Sequence, residues 1–168
     1  MRVTAKAEYA VRAVMELAAG GGEPVKRDAI VAAQSIPPKF LENILSELRH
    51  AGLVESQRGS DGGYWLSEPP EKITVADVMR AVEGPLASVR SSRPETLEYE
   101  GLAEPLQYVW VALRSAIRSV VEEVTIADLI GKVAAGLRVG DRLAVAQEVD
   151  DHAVVTARPR RRALRPGP

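Results

Sequence analysis

The residues of this sequence whose types and spacing suit a chemical task lie between Ile36 and Leu66. Pro38-Lys39-Phe40-Leu41-Glu42-Asn43-Ile44-Leu45-Ser46-Glu47-Leu48-Arg49-His50-Ala51 reads as a helix with Leu41, Ile44, Leu45 and Leu48 as its buried stripe. Gly52 suits the left-handed position that follows a helix end. Arg58-Gly59-Ser60-Asp61-Gly62-Gly63-Tyr64-Trp65-Leu66 then reads as a hairpin with a glycine-rich tip, Asp61-Gly62-Gly63 supplying the turn. A helix that stops at a glycine and runs into such a hairpin is the order in which a winged helix-turn-helix presents side chains to DNA, recognition helix first and wing second. Catalytic chemistry has no counterpart here: there is no nucleophile–base pair, phosphate loop or metal-ligand cluster, and Asp and Glu are spread as helix caps and surface charges. An enzyme is not expected.

The elements that must position this segment are also legible. Residues 4–19 read as a helix, with Tyr9, Ala10, Ala13, Val14 and Leu17 at helical spacing, Thr4 as N-cap and Gly20-Gly21-Gly22 as its stop. A short helix over 27–34 carries Ile30 and Ala33 on one face, and Ser35-Ile36-Pro37 makes the turn. Strands are expected over 53–58 and 64–66, closed by Pro69-Pro70. Thr74 and Asp77 form a capping-box variant at the head of another helix, which Gly84-Pro85 terminates. Residues 86–101 are polar and irregular. A long helix is expected over 102–124, with Leu106, Val109, Leu113, Ile117, Val120 and Val124 three or four residues apart. Thr125-Ile126-Ala127-Asp128 then repeats the Thr-x-Ala-Asp start of 74–77, as a recurring helix start rather than a domain repeat. Weak strand signals follow at 143–149 and 153–156, and a basic, proline-rich tail from about 157 is expected to be disordered.

Composition narrows the class. Hydrophobic residues make up 46% of 168 but aromatics only 4%, so the core must be Ala, Val, Leu and Ile, which favours closely packed helices over a β-sandwich. No apolar run reaches the ~20 residues a membrane span needs, and the N-terminus lacks an apolar signal-peptide centre, so a cytoplasmic protein is expected. With no cysteine, disulfides, zinc–cysteine sites and cysteine-ligated iron–sulfur clusters have no ligands. Residues 1–84 carry 10 Lys+Arg against 12 Asp+Glu, so DNA binding must come from a few placed cations and from dimerisation rather than a broad basic surface.

Residues 1–130 resemble the bacterial Rrf-two type of winged-helix transcriptional regulators, which includes iron–sulfur-cluster, nitric-oxide-sensing and cysteine-metabolism regulators. The resemblance is carried by Met1-Arg2-Val3-Thr4 with Tyr9-Ala10-Val11-Arg12-Ala13, Phe40-Leu41-Glu42-Asn43-Ile44-Leu45 with Leu48-Arg49-His50-Ala51-Gly52-Leu53-Val54, and Arg58-Gly59 with Gly62-Gly63-Tyr64. Ile73-Thr74-Val75-Ala76-Asp77-Val78, and Trp110 with Val124-Thr125-Ile126-Ala127-Asp128-Leu129, complete it. It implies a mainly α fold with a small β-hairpin wing: a winged helix-turn-helix plus a long C-terminal dimerisation helix. The implied organisation is a DNA-binding domain over 1–84, a sensory loop over 85–101, a dimerisation helix and return helix over 102–135, and a C-terminal extension over 136–168.

The resemblance further implies a homodimeric regulator, a repressor, on a palindromic double-stranded operator whose half-sites lie ~34–36 Å apart or a multiple of that. Glu42 and Asn43 fall where the family faces base edges, where a carboxylate accepts from cytosine and an amide pairs with adenine. Arg58, with Gly59, falls at the base of the wing, where the family sends an arginine into the minor groove. Lys39, Tyr64, Arg2 and Lys6 are candidates for phosphate contact. Leu106, Val109, Trp110, Leu113, Ile117, Val120 and Val124 are the implied dimer interface.

Departures from the pattern are as informative. The wing reads Ser60-Asp61 where the family commonly has Pro-Gly, which puts an acid at the tip. Pro37 replaces the serine that usually opens the recognition helix. The sensory members' three cysteines are absent. Gln107 stands where cluster-binding members can have a histidine, and Glu8 where one cluster type uses a carboxylate. No cofactor is therefore expected. The loop residues Arg90, Arg93, Glu95, Glu98 and Tyr99 are expected to sense a small polar molecule or a partner protein. The non-basic N-terminal region and Asp61 leave a second reading, a protein-interaction module of the same fold with weak or lost DNA binding.

Overall fold

The computed structural model describes residues 3–134, with side chains described through Gly131. Arg2, the strand signals at 143–149 and 153–156, and the basic tail lie outside the described residues. The helices are α1 (Ala5–Ala19), α2 (Arg27–Gln34), α3 (Pro38–His50), α4 (Val75–Glu83), α5 (Leu106–Val121) and α6 (Ile126–Ala134). Strands β1 (Val54–Gln57) and β2 (Gly63–Leu66) lie between α3 and α4.

Helix α1 is the hub, packed against α2, α3, α4 and β2. Its buried face is Ala7, Ala10, Ala13, Val14, Leu17 and Ala18. Four alanines on one face let neighbouring helices approach closely, which is how a core with few aromatics reaches interior density. Thr4 caps the helix as expected, its hydroxyl accepting from the Ala7 N–H at 3.1 Å. Into this face pack Ile30, Ile36, all four residues of the α3 stripe, Val54, Ile73, Val78 and Val82. Each fully buried Leu or Ile contributes roughly 1.5–3 kcal/mol over its exposed state.

β1 and β2 pair antiparallel, with Val54 opposite Leu66 and Gln57 opposite Gly63. The turn lies one step earlier than expected: the Gly62 N–H donates to the Gly59 carbonyl at 3.2 Å, so Ser60 and Asp61 are the corner. Gly59 has φ +111°, a conformation side chains rarely adopt. Gly62 and Gly63 serve close approach instead. A Cβ on Gly62 would sit 2.1 Å from the Gln57 carbonyl oxygen, and one on Gly63 2.7 Å from that of Val25. The second contact marks a third partner, because Val25 and Tyr64 exchange both backbone hydrogen bonds at 2.9 Å. The wing is thereby sewn to the residues that open α2.

In the C-terminal half, Thr74 and Asp77 form the full capping box of α4, and Thr125 and Asp128 repeat every one of its hydrogen bonds at the head of α6. The two starts are also paired to each other. Val75 N–H donates to the Val124 carbonyl and Ile126 N–H to the Ile73 carbonyl, both at 2.9 Å. Ile126 is fully buried in the core that α1–α4 build, so α6 returns to that core. The long helix is shorter than the expected 102–124. Gly101, at φ +59°, and Pro105 hold residues 101–105 out of it, and Val124 lies beyond its end.

Candidate nucleic-acid interface

Helix α3 is divided cleanly. Leu41, Ile44, Leu45 and Leu48 are buried, whereas Lys39, Phe40, Glu42, Asn43, Ser46, Arg49 and His50 are exposed. The turn before it is fixed by Ser35, which ends α2 in the left-handed conformation (φ 52°), and by Pro37-Pro38. Pro37 supplies no side-chain cap, but Pro38 in the first turn has no N–H to satisfy there. Arg12 of α1 fastens the same turn, donating from Nε to Gln34 Oε1 at 2.9 Å and from a second nitrogen to the Gln34 carbonyl.

The two expected base readers differ in state. Asn43 is exposed and its side chain has no partner among the described residues, so its amide is available. Glu42 is held by Arg27 at the start of α2, which also donates to Asp28 at 2.8–2.9 Å. Arg27 has its pKa raised, first by the hydrogen bond to Asp28 and less by Glu42, so it remains a cation at any working pH. Glu42 thus faces solvent with its orientation already set.

The wing projects beside this face. Arg58 is exposed, without a side-chain partner among the described residues, at the point where β1 leaves the sheet. Lys26 reaches across from the start of α2 to the carbonyls of Gly59 and Ser60 and holds the tip. Asp61 is exposed at the corner. Tyr64 is half-buried and packs on the core, so it positions the wing more than it presents itself to a ligand. Trp65 Nε1 donates to Glu55 Oε2 at 3.1 Å across the hairpin. Lys6 is likewise engaged: its ammonium sits 3.0 Å from Glu47 Oε2 and braces α1 against α3. Lys39 is exposed with no partner among the described residues. Sequence reasoning missed the roles of Lys26 and Arg27, whose only local signal is a basic pair at the start of a short helix, and it did not foresee that Arg12 reaches Gln34.

The family model for Rrf2, described as an iron-dependent transcriptional regulator, matches residues 3–132. The chain belongs to the Rrf2 family. A Mycobacterium tuberculosis protein provisionally named an HTH-type transcriptional regulator is 53% identical over 132 residues, covering 78% of this chain and 82% of the relative. Among solved structures, CymR, the global cysteine regulator of B. subtilis, is 35% identical with a TM-score of 0.65, covering 77% of this chain and 95% of that one. T. potens IscR is 31% identical with a TM-score of 0.65, covering 79% and 88%. The chain is thus a winged-helix, DNA-binding transcriptional regulator. No described helix is long and apolar enough to cross a membrane.

The Rrf2 description is iron-dependent, and the donor set of this chain does not fit a cysteine-ligated cluster, since the sequence has no cysteine and two histidines. Gln107 donates to the Glu95 carbonyl at 3.2 Å and pins the 85–101 loop to α5. Glu8 pairs with Arg12 at 3.1 Å. Within the loop, Arg90 and Ser91 form a two-residue turn with positive φ at both, and the Arg90 guanidinium lies 5.8 Å from the Tyr99 ring centroid. Arg93 lines a cavity together with Arg114 and Arg118 of α5, Glu95 lies 3.5 Å from Arg114, and Glu98 is exposed.

No residue of α5 is buried. Leu106, Val109, Leu113 and Val120 are 39–53% exposed, whereas Trp110, Ile117 and Val124 are half-buried. The single stripe expected from the sequence is therefore two. The exposed one runs Leu106, Val109, Leu113, Ala116, Val120, with steps of three, four, three and four, the spacing of a helix–helix seam.

Proposed function

We propose that this chain is a homodimeric, sequence-specific transcriptional repressor that places α3 in the major groove and Arg58 in the adjacent minor groove. The observation that carries this reading is the α3 surface: its apolar face is wholly consumed by the core, and Lys39, Glu42 and Asn43 stand exposed beside a wing whose arginine is unpartnered among the described residues. Asn43 suits adenine and Glu42 suits cytosine N4, each good contact being worth ~1–3 kcal/mol of discrimination. Dimerisation is supported by the α5 seam, which leaves Leu106, Val109, Leu113 and Val120 in water unless a second copy covers them. The regulator works without a cysteine-ligated cluster, inside the cytoplasm.

Fluorescence anisotropy on duplexes selected from its own upstream DNA tests the reading. Asn43→Ala and Arg58→Ala should each weaken specific binding by about tenfold or more without lowering Tm. Unchanged affinity and unchanged sequence preference in both variants would exclude this docking mode. Leu113→Glu should convert a dimer to monomer by light scattering and weaken operator binding with it. The second reading, a protein-interaction module, is favoured by one observation: Glu42 is already engaged by Arg27. Selection of no sequence from a random duplex library would support it.

A further inference from the structure

Between α4, the start of the 85–101 loop and α5 lies a cavity of about 330 Å³. Arg80, Arg93, Arg114 and Arg118 line it with Pro85 and Leu86, and no carboxylate does. Four guanidiniums cannot lose their protons, so they repel one another unless anions sit among them. Three nearby acids offset part of this charge without lining the cavity, leaving one guanidinium in excess. Glu122 accepts from both Arg80 and Arg118, Asp77 lies 3.6 Å from Arg80, and Glu95 lies 3.5 Å from Arg114.

Arg114 is the telling residue. Its side chain is 15% exposed, and its Nε and Nη1 are buried with no hydrogen bond, because Glu95 is within ion-pair distance but lacks hydrogen-bond geometry. A buried donor left unmade costs roughly 1–3 kcal/mol, and more when charged. Arg93, at the rim, has no side-chain partner among the described residues. Two forks short of acceptors and two more within reach form a built receptor for oxygen anions, which arginine binds two bonds at a time. A second cavity of about 410 Å³ shares Arg114 and Arg118 but is lined by Glu95 and Glu122 as well as Ser115 and Ser119, so its own carboxylates offset those arginines and the carboxylate-free lining belongs to the first cavity alone.

We propose that this arginine cavity binds a small oxyanion carrying two or more negative charges, a polycarboxylate or a phosphorylated metabolite, and that its occupancy tunes DNA binding. The volume lies at the small end of ligand pockets, so the ligand is compact. The route to DNA is Glu122. It ties Arg80 of α4, in the DNA-binding core, to Arg118 of α5, the seam helix. An anion that competes for those two arginines favours one α4–α5 arrangement over another, and that arrangement sets how two reading heads are spaced on an operator. The ligand acts only as far as its affinity differs between the two arrangements. This regulatory half rests on the dimeric DNA-binding reading; the binding half does not.

Calorimetry on the full chain tests the binding half, with inorganic phosphate, sulfate, succinate and citrate as probes and sodium chloride at matched ionic strength as reference. We expect saturable binding of at least one multivalent probe, weakened about tenfold or more in Arg93→Gln and in Arg114→Gln. Arg93 is exposed and unpartnered, so its variant remains folded even if Arg114→Gln is destabilised. Preference for phosphate identifies a phosphorylated ligand, and preference for citrate or succinate a polycarboxylate. No saturable binding, or equal affinity in Arg93→Gln and wild type, overturns the site. The same probe is then added at saturation to the anisotropy titration, where at least a fivefold change in operator affinity is expected. No change overturns the regulatory half. If the chain selects no duplex at all, the DNA reading fails while calorimetry still decides the cavity.

Discussion

Helices α3 and α5 are of similar length and both carry an apolar stripe, yet the fold treats them oppositely. All four stripe residues of α3 are buried at 1% exposure or less, and the polar residues between them are the ones left in water. In α5 no residue is buried and the apolar seam itself faces solvent. One helix is completed by its own chain and offers hydrogen-bonding groups; the other keeps its apolar seam uncovered among the described residues. An amphipathic pattern therefore says that a face will be covered, but not by what.

The sharpest way to break this comparison is the same substitution in both helices. Leu48→Ala should cost about 2–5 kcal/mol through the cavity it leaves, with Tm falling several degrees at every protein concentration. Leu113→Ala should leave the folded monomer nearly as stable, and its effect on Tm should shrink as the protein is diluted, because it acts through association. Thermal melts over a hundredfold concentration range check both; a concentration-independent loss from Leu113→Ala would mean that the seam is a core of its own chain.

Next in size are the paired helix starts. Thr74→Ala and Thr125→Ala should each cost about 1 kcal/mol by removing a cap, measurable by urea unfolding. The two should be less than additive together, since the capped ends bridge each other.

Arg27→Ala sharpens the reading face. It frees Glu42, so operator preference at one base pair should relax by less than the loss seen with Asn43→Ala, with overall affinity within about tenfold of wild type. Competition titrations with singly substituted duplexes measure it.

The smallest effect is on pH. Glu122 is held below the ordinary carboxylate range, first by the hydrogen bond from Arg118 and then by that from Arg80. A carboxylate with a depressed folded pKa contributes stability that is complete above its unfolded value, about 4.3, and is lost as pH falls through the lower folded value. Tm should therefore fall more steeply below about pH 4.3 in wild type than in Glu122→Gln, the two converging at the acid end.

Much of this was legible in local sequence because it rests on local physics. Thr4, Thr74 and Thr125 each announce a helix start, since a cap bonds to residues three positions away. The α3 stripe follows from its period, and Gly52 at φ +76° from the stop it makes. Other placements were not legible. Tyr64 and Lys6 read as candidates for a ligand, but Tyr64 packs on the core and Lys6 pairs with Glu47, 41 positions away. The α5 residues read as one stripe because period alone does not separate two neighbouring faces of one helix. A trace of the cavity exists in Arg114 and Arg118, one turn apart, but an i, i+4 arginine pair is ordinary on a solvated helix.

By itself the sequence determined the element order, the faces that must be covered, and a donor set without a single cysteine. Each depends on residue type and on spacings of four positions or fewer, where chain connectivity fixes the geometry. Only the tertiary structure decided that Arg27 holds Glu42, that Lys26 holds the wing tip, that the starts of α4 and α6 pair, and that four arginines from α4, the loop and α5 surround one cavity. The paired groups are 15 to 51 positions apart and the arginines come from three separate elements, and their meeting depends on how α1 packs the helices around it, which no local period encodes.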